Sequence, residues 1–136
     1  MIDHMGLGVK DYVAAKAFYE RALAPLGYGV IMEVTPEMKG GGPAACGFGR
    51  DGKPDFWIAD EQPATGLHVA FTAADRATVR DFHAAALAAG GRNNGGPGLR
   101  PEYHPNYYGA FVWDLDGNNV EAVCHDPGDA ADQQNF

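Results

Sequence analysis

Three residues of this chain have the types and settings to do chemistry together: His4, His68 and Glu121. Glu121 lies in Asn119-Val120-Glu121-Ala122-Val123-Cys124, an apolar run where an unpaired ionised carboxylate, once buried, would be strongly destabilising. It needs a partner. The two histidines sit in short alternating stretches: Met5, Leu7 and Val9, or Leu67, Val69 and Phe71, point one way, and each histidine shares the other face with small residues. Two imidazoles and one carboxylate suit a divalent ion such as Fe2+, Mn2+, Ni2+ or Zn2+. They leave coordination positions open, as a catalytic rather than a structural metal requires.

A repeat relates these residues. A constant offset of 64 carries His4 onto His68, Asp11 onto Asp75, Phe18 onto Phe82, Ala22-Leu23-Ala24 onto Ala86-Leu87-Ala88, and Gly27 onto Gly91. Matches at one offset across a strand and its following helix mark a duplicated unit. The same offset joins Trp57 to Glu121, so a pseudo-twofold packing of the copies would bring His4, Trp57, His68 and Glu121 to one cavity.

Each copy reads as βαβββ. In the first, residues 2–9 form a strand, Asp11 caps a helix that closes near Gly27, and strands follow over 29–35, 44–50 and 55–59. The Gly40-Gly41-Gly42 run marks a loop, and Asp51-Gly52 a hairpin turn. In the second, residues 67–72 form a strand and Asp75 caps a helix ending at Gly90-Gly91, with Val79, Phe82, His83, Ala86 and Leu87 on its packed stripe. The Gly- and Asn-rich segment 93–98 reads as a loop, and 100–104, 107–114 and 118–125 as strands. The expectation is a single α+β domain over 1–126. It comprises module one (1–60) and module two (65–126), whose curled mixed sheet forms a cup with helices outside, followed by a polar tail over 127–136.

The 136 residues and 46% hydrophobic content suit one core of ordinary size, so neither module is expected to stand alone. A net charge of -8 with scattered cations gives no basis for holding nucleic acid. No apolar stretch approaches a membrane span and no secretory leader opens the chain, which reads as cytosolic. Cys46 and Cys124 read as small buried hydrophobes.

With the duplication, His4-Met5-Gly6-Leu7-Gly8-Val9-Lys10-Asp11, Phe18-Tyr19, His68-Val69-Ala70-Phe71 and Asp114-Leu115-Asp116-Gly117-Asn118-Asn119-Val120-Glu121 resemble the vicinal oxygen chelate superfamily. That superfamily includes glyoxalases, bleomycin resistance proteins, extradiol dioxygenases and fosfomycin-resistance enzymes. The resemblance implies a divalent metal on His4, His68 and Glu121, a small substrate offering vicinal oxygens to it, and a homodimer. Trp57 departs from glyoxalase I, which has a metal-binding carboxylate there, so hemithioacetal isomerisation is put in doubt. What the resemblance implies is a metal-dependent glyoxalase-like lyase or extradiol-type dioxygenase. The alternatives are a metal-free binding protein of the bleomycin-resistance type, with Trp57 as an aromatic platform, and a fosfomycin-resistance-like thiol transferase.

Further candidates surround this set. Tyr107 and Tyr108 are neighbours in a strand, so one faces the cavity, where it could orient substrate or donate a proton. Tyr103 and His104, between Pro101 and Pro105, suit a rim that contacts substrate. His125, four residues after Glu121, points to the same side at the entrance. His83 reads as packed core.

Overall fold

The structure, a computed structural model, describes residues 1–128; the remainder of the expected tail lies outside the described residues. The chain runs β1 (Met5–Gly8), α1 (Tyr12–Leu23), β2 (Gly29–Val34), β3 (Ala45–Arg50), β4 (Lys53–Ala59), then β5 (His68–Thr72), α2 (Arg76–Ala88), β6 (Arg92–Leu99), β7 (Tyr108–Trp113) and β8 (Asn119–Cys124). Each module is a four-stranded mixed sheet, in order β1-β4-β3-β2 and β5-β8-β7-β6, with its first strand parallel to its last. The fold is α+β, two curled, unclosed sheets with two helices.

The repeat is kept in register. Met5 pairs with Phe56 as Val69 pairs with Val120, and Gly47 pairs with Trp57 as Phe111 pairs with Glu121. Both β2–β3 and β6–β7 are interrupted at matching places, after Val30 and after Asn93. There the repeat is one residue shorter, so the left-handed Gly27 (φ 79) matches Gly90 (φ 109) rather than Gly91.

The helices start where their caps allow. The Asp11 carboxylate accepts from the Ala14 N–H at 3.1 Å, and Asp75 from the Thr78 N–H at 2.7 Å. Helix α1 buries Ala15, Phe18, Tyr19, Ala22 and Leu23, and α2 buries Val79, Phe82 and Ala86. These join the inward residues of both sheets in one core, with Phe56 of one module edge-on to Phe71 of the other at 5.3 Å. His83 is not in that core: it is half-buried, and its Nε2 lies 2.9 Å from Asn93 Oδ1, tying α2 to β6. Leu87 is exposed as well.

The modules are also tied by polar groups. The Tyr19 hydroxyl donates to Asp114 Oδ2 at 2.5 Å, and Asp114 Oδ1 accepts from the Asp116 and Asn118 backbone N–H groups at 2.9 and 2.8 Å. Asn118 in turn donates to the Ala64 carbonyl and accepts from the Leu67 N–H, both at 3.0 Å. The 114–118 turn thus holds α1 of the first module and the linker to the second.

The second module departs from expectation in its strands as well. The 93–98 segment is a strand, and 100–104 is not. Strand β6 pairs with β7 from Arg92–Trp113 to Leu99–Tyr108, its glycines accommodating two register shifts in an edge strand. Residues after Leu99 form the turn that leads into β7.

Candidate functional site

Strand β8 alternates, placing Val120, Ala122 and Cys124 in the core and Asn119 and Glu121 on the open face of the second sheet. Glu121 is nonetheless completely buried, because its neighbours cover it. Its Oε1 lies 2.8 Å from His68 Nε2, and its Oε2 accepts from the Tyr107 hydroxyl. Ala70 pairs directly with Glu121 on the parallel strand, so its small side chain leaves room for this arrangement. Gly109 does the same from β7: a Cβ there would stand 3.2 Å from Glu121 Oε2 and from the Tyr107 ring. Burial, and then the Glu121 carboxylate, push the Tyr107 hydroxyl well above the ordinary tyrosine range, so it stays protonated as a donor.

These groups line a cavity of about 510 Å³ with Tyr103, Phe111 and Asn119. Tyr103 packs edge-on to Tyr107 at 5.1 Å, and His125, which does not itself line the cavity, meets Tyr107 at 5.3 Å and His104 at 5.7 Å. Of the adjacent tyrosines, therefore, Tyr107 faces the cavity. Tyr108 lies on the opposite face, buried under the Arg76 guanidinium 5.1 Å from its ring, and its hydroxyl accepts from Arg80 at 3.4 Å. It does not belong with the reactive groups.

His4 and Trp57 are elsewhere. They line a separate cavity of about 500 Å³ over the first sheet, with Asp3, Gly6, Lys53 and Pro54. His4 Nδ1 lies 2.8 Å from an Asp3 carboxylate oxygen, which also receives Lys53 at 3.2 Å. The Trp57 indole lies over Gly47, where a Cβ would come within 2.8 Å of the ring. The two sheets share a core through their helix-bearing sides, so their open faces point away from it, and the four repeat-related positions divide between two cavities. Among the described residues no three His, Cys, Asp or Glu side chains come together as a metal set. Within one chain, the donors suited to an ion are His68 Nε2 and Glu121 Oε1.

Cys46 is buried, and burial pushes its thiol up to about 11, which removes it as a nucleophile near neutral pH. One residue absent from the sequence-based set belongs near the site: Arg100, expected within a strand, follows β6 and lines a polar groove continuous with the second-sheet cavity. The glycines at 95 and 98 were a signal for it, since they border its guanidinium.

Against this geometry, a sequence profile of the Glyoxalase/Bleomycin resistance protein/Dioxygenase superfamily matches residues 1–122. The chain belongs to this superfamily. Its fold is similar to that of a glyoxalase/bleomycin resistance protein from Albidiferax ferrireducens T118, at 29% identity and a TM-score of 0.72, covering 91% of this chain and 98% of that one. It is also similar to a putative glyoxalase from Bacillus halodurans, at 23% identity and a TM-score of 0.63, covering 91% and 95% of the two chains. Glyoxalase I from Zea mays matches at 21% identity and a TM-score of 0.67, over 90% of this chain and 45% of that one. Comparison with curated proteins finds no match. Among the described residues of this superfamily member, no helix is long and apolar enough to cross a membrane.

Proposed function

We propose that the chain is a small-molecule enzyme working with a divalent metal on a substrate that offers vicinal oxygens, as a glyoxalase-like lyase or an extradiol-type dioxygenase. The observation that carries this reading is the buried Glu121 carboxylate, held between His68 and Tyr107 at the floor of an open cavity. A buried carboxylate with a histidine and a tyrosine hydroxyl on its two oxygens is an arrangement for moving protons. His68 Nε2 and Glu121 Oε1 lie 2.8 Å apart, and the two would hold the metal between them. In the proposed homodimer His4 of a second copy completes the ligand set, because the open faces of one chain cannot reach each other. When bound, the ion supplies Lewis-acid polarisation of the substrate oxygens.

The chain's own residues do the rest. Tyr107 keeps its proton and donates it to Glu121 Oε2, which orients the carboxylate as the group that accepts a proton, and Tyr103, His104 and His125 form the entrance that contacts substrate. Trp57, apolar where glyoxalase I has a carboxylate, supports binding in place of a second base. Isomerisation of the methylglyoxal–glutathione hemithioacetal is therefore expected to be weak.

A second reading has its own support: Glu121 is fully satisfied by His68 and Tyr107 with protein groups alone, which suits a metal-free binding protein, with Trp57 as the aromatic platform of the first-sheet cavity. Thermal melting separates the two. Fe(II), Mn(II), Ni(II) or Zn(II) raises the melting temperature if the ion binds the folded state, His68→Ala and Glu121→Ala abolish the rise, and His83→Gln keeps it. No response to any of these ions in wild-type protein would establish the binding module instead.

A further inference from the structure

The cavity over the second sheet continues past Phe111 into a smaller groove of about 310 Å³, lined by Asn94, Gly95, Arg100, Tyr103, Phe111 and Asn119. Tyr103, Phe111 and Asn119 belong to both, so the two form one trough. At its far end the Arg100 guanidinium is held in place. It lies 5.4 Å over the Phe111 ring, with Nη2 donating to the Gly96 carbonyl at 2.7 Å and Nη1 to the Leu99 carbonyl at 3.4 Å. Two glycines provide its space: a Cβ at Gly98 would come within 3.0 Å of Nη1, and one at Gly95 within 3.4 Å of Nη2. A guanidinium has donors to spare beyond these two bonds, and a fixed fork suits a carboxylate.

The other end of the trough has the opposite character. The Glu121 charge is enclosed behind His68 and Tyr107, so that end presents an imidazole and a phenol. From β8 across β7 to β6 is two strand spacings, roughly 10 Å, about the length of an aromatic ring with a short side chain. The protein as a whole carries a net charge of -8 and repels anions, so a cation built into this groove has a local purpose.

We infer that the ligand of this site is a small, flat organic acid: its carboxylate rests on Arg100, its body along Phe111, and its uncharged oxygen-bearing end faces His68, Glu121 and Tyr107. The inference deepens the proposed function by relying on the same cavity, but it does not depend on the metal. The test is calorimetric titration of metal-free protein, in chelator, with trans-cinnamate and its neutral isostere trans-cinnamamide. Wild-type protein binds the acid about tenfold more tightly than the amide, as expected for one charge-assisted hydrogen-bond pair. Arg100→Gln removes that preference, saturable binding of the amide by this variant shows that the groove is intact, and His68→Ala retains the preference. Equal affinity for acid and amide in the wild type, no saturable cinnamate binding, or a preference that survives Arg100→Gln would each overturn the assignment. A failure of the metal reading leaves these outcomes untouched, and Arg100→Gln keeps whatever melting response to Mn(II) the wild type has.

Discussion

Glu121 depends on groups that donate to it. Replacing Tyr107 by phenylalanine keeps the ring and its contacts with Tyr103 and His125 but leaves Oε2 without its hydroxyl donor. A buried acceptor so stranded costs about 1–3 kcal/mol. Urea unfolding of Tyr107→Phe is expected to show a loss of that size; an unchanged midpoint would mean that water reaches the carboxylate. That Glu121 would need a partner was legible because a charge in an apolar strand demands one, and His68 stood out because the repeat pairs it with His4. The orientation of Tyr107 was not, since neighbouring tyrosines in a strand are equivalent until register is known. Arg100 was hidden for a related reason: its place depends on where β6 ends, and glycines disguised that strand as a loop.

At the level of elements, caps and alternation were the readable features. Both helices begin after the aspartates that the sequence pointed to, and the strands with period-two patterns formed with small differences at their ends. Strand β6 escaped notice because it buries little of its own and depends on pairing with β7, a tertiary effect that composition cannot report. The cap of α2 gives a pH-dependent prediction. Bonds from Thr78, side chain first and then backbone, hold the Asp75 carboxyl below its usual value. Its contribution is therefore present above the ordinary aspartate value near ~3.9 and fades as pH falls through the lowered folded one. Asp75→Ala should cost about 1 kcal/mol at pH 7. The gap from wild type should narrow as pH falls below about 4 and close beneath the lowered folded value; a gap that persists in acid would assign the effect to something other than the ionised cap.

For the whole molecule, the repeat predicted the two sheets but not the way they face. Equivalence under a constant offset establishes that His4 and His68 occupy the same place in their modules, whereas convergence requires the open faces to look at each other. The shared core prevents that within one chain. The homodimer proposed above has a direct test. His4→Ala and His68→Ala each lose the metal-induced rise in melting temperature. Mixed heterodimers of the two variants regain it in part, because each heterodimer rebuilds one complete site from an intact His4 on one chain and an intact His68 on the other. If mixing restores nothing, the ligands are not shared between chains.

The order of strands also governs motion. Strands β1 and β5 are the short outer strands of their sheets, each hydrogen-bonded to a single neighbour; His4 immediately precedes β1 and His68 opens β5. Outer strands open at a lower free energy than the strands they flank. In hydrogen–deuterium exchange the amides of residues 68–72 should therefore exchange before those of 119–124, although the two stretches lie side by side. The imidazole that grips Glu121 thus rides on one of the more easily opened strands of the protein, and the carboxylate on a central one. A ligand that bridges the two would close that gap in exchange rate, slowing the outer strand toward the pace of the inner one.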